Sequence, residues 1–253
     1  MCIAWFSMKH SPQDIVAMRA SGQTAARILK EVALRVQAGI TPKELDRIAR
    51  KEIESAKVKP AFLGYDKFPA VLCVSVNSVA VHGAPSDIEF CEGDVVGLDF
   101  GVIKNGWYSD LAITVGVGQI SSEAQKLITV CKTALERAIS VLKEGVSVGD
   151  ISSTIQTYVE GNGFLVIREL VGHGIGKNLH ELPHVPNFGK PGIGEVLEEG
   201  ATIAIEPIIS VSDEHVELDS DQFSWRTKKG SLAAHFEHTV VVTKEGADIL
   251  TLP

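Results

Sequence analysis

Two long stretches of the chain, residues 15–36 and 124–142, carry apolar residues at the spacing of an amphipathic helix. A glycine follows soon after each stretch, Gly39 after the first and Gly145 after the second, which is typical of a helix end. Each turn leads into a further helical pattern, whose apolar positions are Leu45, Ile48 and Ile53 in the first half and Ile151, Ile155 and Val159 in the second. The pattern therefore predicts two pairs of helices.

The two halves of the chain also share a strand pattern, because EGDVVGLDF from Glu92 matches EGATIAIEP from Glu199. The offset is 107 residues (199 minus 92), and it aligns Asp99 with Glu206. We therefore predict a weak twofold internal repeat, in which each half contributes helices and then strands, and equivalent carboxylates meet at a shared centre. Such an arrangement forms one α+β domain, and no linker or low-complexity segment interrupts it.

Residues 95–115 have the pattern of two strands joined by a tight turn at Asn105-Gly106, since both residue types tolerate the positive φ angles of such a turn. With a two-residue loop, paired positions sum to 211 (105 plus 106), so Asp99 faces Ala112. Asp110 then lies on the same sheet face as Asp99, as a diagonal neighbour typically ~7–8 Å away at Cα. Two anions this close need a cation or a shared proton; the alternative is a pair of solvated surface aspartates.

Histidines and glutamates further along the chain have the chemistry to complete such a centre. His173 opens and His180 closes the segment HGIGKNLH, where glycines let the backbone approach a site closely. Glu206 follows the apolar strand 202–205, and Glu237 lies in the apolar run HFEHTVVVT, where a buried glutamate without a partner would be costly. Each residue alone is also compatible with a structural role, such as a hydrogen-bonded histidine or an outward-facing glutamate on an edge strand. Together, four carboxylates and a histidine form an oxygen-rich set suited to two divalent metals.

Composition and charge narrow the class of protein. The chain has 253 residues and 45% hydrophobic content, which is enough for a large core without covalent cross-links. A formal net charge of -8 argues against a nucleic acid as the main ligand. The sequence shows no signal peptide, and no stretch approaches the ~20 apolar residues of a membrane helix. The cysteines form no CxxC pair and are expected to be reduced thiols in a cytoplasmic protein: Cys2, Cys73, Cys91 and Cys131.

One known family carries these residues in this order. From about residue 15 to residue 243 the chain closely resembles the type I methionine aminopeptidases, on the set Asp99, Asp110, His173, Glu206 and Glu237, with His82 in VHGAP and His180 closing HGIGKNLH. The resemblance implies the pita-bread fold, which agrees with the internal repeat. It also implies a single catalytic domain over residues 1–253, with residues 1–14 as a short amino-terminal extension and no zinc-finger domain. The large insertion of the type II enzymes has no room in this chain.

The resemblance implies an activity, namely hydrolysis of the amino-terminal methionine of nascent proteins and peptides whose second residue is small. Two divalent metal ions would be held, and the sequence leaves cobalt, manganese, iron and zinc open. By similarity Asp99 would chelate one ion, His173 and Glu206 the other, and Asp110 and Glu237 would bridge them. Water activated by both ions would be the nucleophile.

Three residues are implied to act on the substrate or on protons. Glu206 would carry the proton of the attacking water. His82 and His180 would donate hydrogen bonds to the substrate and to the tetrahedral intermediate, where negative charge develops. The alternative for both histidines is a purely structural role.

The resemblance also implies a methionine pocket, lined by Phe62, Tyr65, Phe68, Cys73, Leu179 and Phe223. The alternative is that these residues belong to the ordinary hydrophobic core. Leu179 stands where the family usually has an aromatic residue, and Phe223 aligns with a common tryptophan. Leu170, three positions before His173, departs from the usual aromatic residue or methionine. His235 replaces a usual glutamine two residues before Glu237, and strand alternation puts it on the face of that ligand. There it either supports the ligand, packs, or faces solvent.

The implied partners are the amino termini of nascent polypeptides, with transient ribosome association, no specific nucleic acid, no membrane, and a monomeric state. A rival on the same fold is a proline-specific aminopeptidase or prolidase, which shares the five metal ligands but usually carries an extra amino-terminal domain. A second rival is a non-catalytic binding module, which typically loses metal ligands.

Overall fold

A computed structural model describes residues 9–253 of the chain. The predicted extension at residues 1–14 lies mostly outside the described residues, and so does Cys2. The other cysteines, Cys73, Cys91 and Cys131, carry free thiols. Within residues 9–253, no helix combines the length and apolar character needed to cross a membrane.

The α-helices of the described residues occur in two consecutive pairs, as predicted. They are α1 (Pro12–Ala33), α2 (Pro42–Ala56), α3 (Ser122–Ser140) and α4 (Val148–Gly161). The first and third begin a few residues before the apolar pattern does, because Ser11 and Ser121 cap them with side chains that accept from Asp14 N and Ala124 N. Helices α2 and α4 begin with capping boxes at Thr41 and Ser147.

The strands form one large sheet and two small ones. In chain order they are β1 (Lys59–Pro60), β2 (Leu72–Val76), β3 (Val79–Val81), β4 (Val95–Lys104), β5 (Trp107–Gly116), β6 (Leu165–Val166), β7 (Val171–Gly174), β8 (Glu181–Pro186), β9 (Thr202–Ile205), β10 (Ile208–Ser210), β11 (Val216–Leu218), β12 (Trp225–Thr227), β13 (Ala233–His235), β14 (Glu237–Val242) and β15 (Ala247–Ile249). The large sheet has the order β1-β4-β5-β14-β9-β7-β8, with β2 beside β4 and β15 beside β14. The small sheets are β13-β10-β6 and β11-β12-β3.

The predicted hairpin is confirmed in both its turn and its register. Asn105 and Gly106 have φ angles of 53° and 79°, and β4 pairs with β5 so that Asp99 faces Ala112. Glu237, in contrast, does not lie on an edge strand: β14 pairs with β5 on one side and with β9 on the other. Its carboxylate is therefore held near the middle of the large sheet.

Strand alternation separates the two faces of the large sheet. Leu98 and Phe100 of β4 join a core cluster with α1 and α2, while Ile203 of β9 and Val240 of β14 join a cluster with α3 and α4. Both helix pairs thus cover the same face of the large sheet. The residues next to these, including Asp99, point to the other face, because successive side chains of a strand alternate.

Two helical glycines differ sharply in the space around them, which gives a test of the helix packing. A Cβ added at Gly22 of α1 would lie 2.3 Å from the Leu250 carbonyl oxygen, whereas one added at Gly161 of α4 would meet nothing within 4 Å. We expect Gly22→Ala to lower the free energy of unfolding by about 1–3 kcal/mol through overpacking. Gly161→Ala should raise it by up to about 1 kcal/mol, because alanine loses less backbone entropy in a helix. Urea unfolding of both variants measures the two changes. If Gly22→Ala keeps the stability of the wild-type protein, the close approach of α1 to the carboxyl-terminal segment is contradicted.

Candidate metal centre and active site

The candidate ligands form two adjacent rows on the face of the large sheet that the helices leave free. In the first row Ala112 of β5 pairs with Asp99 on one side and with Glu237 on the other. Continuing the β14–β9 register by one residue beyond Ile205 places Glu206 opposite Glu237. The row therefore brings three carboxylates together across four strands, with the small side chain of Ala112 leaving space between two of them.

The second row lies two residues along the same strands and so points to the same face. Asp110 of β5 exchanges hydrogen bonds with Thr239 of β14, whose hydroxyl donates to the Asp110 carbonyl at 2.8 Å. Ala204 of β9 pairs with both Thr239 and His173. Asp110 and His173 thus stand at the two sides of the row, and the smaller residues Thr239 and Ala204 lie between them.

Ligand atoms from these rows converge into overlapping groups. Asp99, Asp110 and Glu237 each offer an oxygen within 4.8 Å of the others, and His173, Glu206 and Glu237 do the same with their ligand atoms. His173 Nε2 lies 3.8 Å from Asp110 Oδ2 and 3.7 Å from Glu206 Oε1. This arrangement can accommodate two neighbouring ions that share Glu237 as a ligand.

Three carboxylates of this centre each have one oxygen without the partner that a buried polar atom normally has. Asp99 Oδ1, Asp110 Oδ1 and Glu237 Oε1 are buried and accept no hydrogen bond from the described residues. Burial raises the pKa of the Asp99 carboxyl to about 7. Burial, and then repulsion from Glu237 and Asp99, raises the pKa of Asp110 well above its usual range. Divalent cations that bind carboxylate oxygens fit this donor set.

His173 presents the nitrogen lone pair that a metal needs. Its Nδ1–H donates to the Gly174 carbonyl at 2.9 Å, so Nε2 carries the lone pair and faces Asp110 and Glu206. Burial, followed by the neighbouring His180, lowers the pKa of His173 to about 3, which keeps the ring neutral. A backbone carbonyl that fixes the tautomer in this way is a usual feature of histidine ligands.

A cavity of about 360 Å³ opens above the centre. The residues that the sequence assigned to a methionine pocket all line it, together with His82 and His180: Phe62, Tyr65, Phe68, Cys73, Leu179 and Phe223. Phe68 and Phe223 meet edge to face, with ring centroids 5.7 Å apart. Cys73 pairs with Asp99 across β2 and β4, so the apolar wall and the carboxylates are neighbours on one sheet.

Both histidines of the cavity wall are held by local structure. His180 stacks edge to face on His173, with centroids 4.4 Å apart, and its Nδ1 lies 2.8 Å from the Tyr65 hydroxyl. His82 has a φ of 55°, a left-handed conformation that is uncommon outside glycine. The next residue must be glycine, because a Cβ at Gly83 would lie 2.1 Å from the Val74 carbonyl oxygen. Strain of this kind persists where surrounding structure enforces it, often at functional sites.

Four residues of the cavity wall were missed from the sequence. They are Asp66, Leu218, Gln222 and Trp225. Trp225 reaches the cavity because β12 pairs with β3, placing it opposite Val81, the residue before His82. The two partners are far apart in the chain, and the only local signal was the proximity of Trp225 to Phe223.

Two departures from the family pattern have different surroundings. Leu170 packs partly buried against a small apolar cluster that includes Ile167 and Ile208, and so does not line the cavity. His235 is buried, with Nε2 3.6 Å from Glu206 Oε2 and 3.7 Å from Glu237 Oε2. Of the alternatives left open for His235, solvent exposure is therefore wrong.

Comparisons with known proteins assign the chain to a family. The profile of metallopeptidase family M24 matches residues 16–244. A methionine aminopeptidase of Clostridium perfringens is 44% identical over 239 residues, which cover 94% of this chain and 96% of that protein. The crystal structure of a methionine aminopeptidase from Thermotoga maritima has a TM-score of 0.95 and 42% identity, covering 96% of this chain and 98% of that one.

A more distant solved structure shares the fold alone. The X-Pro aminopeptidase of Thermotoga maritima has a TM-score of 0.77 at 23% identity, and this chain covers 62% of its length. These matches confirm the predicted pita-bread fold, and the family match together with the ligand groups supports the use of divalent metal. The chain belongs to metallopeptidase family M24 and, within it, to the methionine aminopeptidases.

Proposed function

We propose that this protein is a metal-dependent aminopeptidase that removes the amino-terminal methionine of nascent polypeptides and peptides when the second residue is small. The observation that carries the proposal is the pair of overlapping ligand groups at the floor of an apolar cavity. The names of the near full-length relatives support the choice of methionine. The proposal includes a cytoplasmic location, a monomeric state and transient contact with the ribosome, without specific nucleic acid or membrane binding.

Two divalent ions would be held by the residues of the two rows. Asp99 would chelate one ion, His173 and Glu206 the other, and Glu237 and Asp110 would bridge them. Glu237 belongs to both the carboxylate group and the His173 group, which supports its bridging role. When bound, the ions supply Lewis acidity toward the scissile carbonyl and lower the pKa of water. The oxygen-rich donor set with one imidazole suits cobalt, manganese, iron or zinc.

The chain's own groups would position the substrate and move protons. Glu206 would accept a proton from the attacking water on its carboxylate and deliver it to the leaving amine. Tyr65, by donating to His180 Nδ1, would leave Nε2–H free to donate toward the substrate. His82 would contribute a second donor to developing negative charge.

The apolar wall would select the side chain of the first residue. Phe68 and Phe223 form one aromatic corner, and the buried thiol of Cys73 lies on the strand pair that carries Asp99. A methionine thioether makes favourable contacts with aromatic edges and fits such a lining. The cavity size is at the lower end of the range for small-ligand sites, which suits a single side chain with its backbone.

One experiment separates this function from its rivals. Chelator-stripped protein is reloaded with one metal at a time, and hydrolysis of Met-Ala-Ser is compared with hydrolysis of Ala-Pro peptides. We expect metal-dependent release of methionine from the first peptide only. Preferential cleavage before proline would favour an X-Pro aminopeptidase, and purified protein without stoichiometric metal would favour a non-catalytic binding module.

Replacing a bridging carboxylate should affect metal binding and apo stability in opposite directions. We expect Asp110→Asn to lose both ions and all activity. The metal-free variant should nevertheless melt above metal-free wild type, because one of several mutually repelling buried carboxylates is gone. Metal analysis and thermal unfolding in chelator measure the two effects.

A matched control is Asp46→Asn, since Asp46 is also buried but accepts from Val71 N at 2.8 Å and Arg50 Nε at 2.7 Å. This variant should lose stability, because charge-assisted hydrogen bonds are weakened, and keep its metal. Retention of two ions by Asp110→Asn would contradict the bridging assignment.

The cavity histidines should matter for catalysis and not for metal content. We expect His82→Ala and His180→Ala to keep two ions and to lower kcat by ~10²–10³-fold, the usual loss for one transition-state donor. His180 provides the sharper test, because it also forms a possible ligand group with Asp110 and His173. Loss of an ion from His180→Ala would make it a metal ligand instead.

The pocket wall predicts a change in selectivity. Leu179 is buried in the wall and is smaller than the aromatic residue usual there, so norleucine and leucine should be detectable substrates beside methionine. Leu179→Phe should raise the ratio of methionine to leucine turnover, by an amount equivalent to ~1–3 kcal/mol. The ratio is measured as kcat/KM on matched peptides, with Leu182→Phe as the control, since Leu182 is 64% exposed. An unchanged ratio in Leu179→Phe would remove Leu179 from the pocket.

A further inference from the structure

His235 is fixed beside the metal centre by its main chain. Its N–H donates to Thr114 Oγ1 at 2.9 Å, and the Thr114 hydroxyl donates to the His235 carbonyl at 2.7 Å. Thr114 belongs to β5, the strand that carries Asp110, while β13 also pairs His235 with Ile208, two residues after Glu206. The imidazole is therefore attached to the same framework as the ligands on either side of it.

The imidazole nitrogen that faces the centre has no partner of its own. His235 Nε2 is buried and makes no hydrogen bond within residues 9–253. It faces Glu206 Oε2 at 3.6 Å and Glu237 Oε2 at 3.7 Å. These distances exceed an ordinary N–H···O bond by about 0.7 Å, a gap that a small side-chain rotation closes.

Hydrogen bonds hold the main chains of Glu206 and Glu237 in place, but not their carboxylates. A hydrogen-bond donor beside these carboxylates would orient them. The Glu206 carbonyl accepts from Asn187 Nδ2 at 2.9 Å, and Glu237 is paired within β14. Glu206 has His173 on its Oε1 and His235 on its Oε2, so the two imidazoles face different oxygens of one carboxylate. His173 can bind an ion on its side, and His235 is left to hold the other oxygen.

We propose that His235 is a positioning residue, which donates a hydrogen bond from Nε2–H to the outer oxygens of Glu206 and Glu237 and thereby raises the affinity of the centre for its ions. The inference rests on the ligand roles proposed above. Hydrogen bonds to ligating carboxylates orient them and commonly change metal affinity by ~10–100-fold.

Metal affinity of chelator-stripped protein, measured by competition with a fluorescent chelator for Mn²⁺, tests the role without any assay of activity. We expect His235→Leu to weaken binding by ~10–100-fold, because it removes the donor. His235→Gln should retain most of the wild-type affinity. His235→Met supplies a second side chain without a donor, should the leucine variant fail to fold, and thermal unfolding of each metal-free variant verifies folding.

The matched control is His238→Leu, on the other side of Glu237. His238 is partly buried, and its Nδ1 lies 2.9 Å from Thr251 Oγ1, so this variant loses a hydrogen bond away from the centre. It should lose stability and keep its metal affinity. A purely structural role for His235 would make the two leucine variants alike.

Three results would overturn the inference. Wild-type affinity in folded His235→Leu or His235→Met would show that the donor is unnecessary. Equal weakening in His235→Gln and His235→Leu would show that the imidazole nitrogen itself is needed, as a metal ligand would be. Absence of metal binding by the wild-type protein would refute the proposed function, and the inference with it.

Discussion

Three buried carboxylates and the partly buried Glu206 meet on one face of a sheet, and the arrangement of the rest of the protein follows from the need to hold them there. Burial raises the pKa of Asp99, and burial with mutual repulsion raises those of Asp110, Glu206 and Glu237. A centre of this kind opposes its own formation unless cations neutralise it. The fold must therefore supply enough stability elsewhere to keep the ligands in place before the ions bind.

The large sheet meets this requirement by dividing its faces. Apolar residues of β4, β9 and β14 bury one face under the two helix pairs, and alternation alone then places the ligands on the other face. Ala112 lies between ligands in the first row, and Ala204 and Thr239 lie between ligands in the second, where larger side chains would occupy the space that separates the ligands. Packing on one face and chemistry on the other are thus two consequences of a single strand pattern.

The sequence predicts the parts of this site that depend on local contacts. The helix pairs followed from apolar spacing and caps, and the placement of Asp99 relative to Asp110 followed from the Asn105-Gly106 turn, since a two-residue loop determines the register. The position of Glu237 was left open, because pairing of β14 with both β5 and β9 joins strands far apart in the chain. Trp225 was missed for the same reason, as its place on the cavity wall depends on the pairing of β12 with β3.

The two glutamates that end up opposite each other stand where strands change sheets. Glu206 follows β9 of the large sheet, and Pro207, which has no N–H to donate, separates it from β10 of a small sheet. Glu237 begins β14, and Phe236 separates it from β13, which pairs with β10. The same two breaks bring His235 to the carboxylates from the small sheet while His173 approaches from the large one. If either strand continued without a break, only side chains of a single sheet would reach the glutamates. The breaks at Pro207 and Phe236 therefore allow imidazoles from two sheets to approach them.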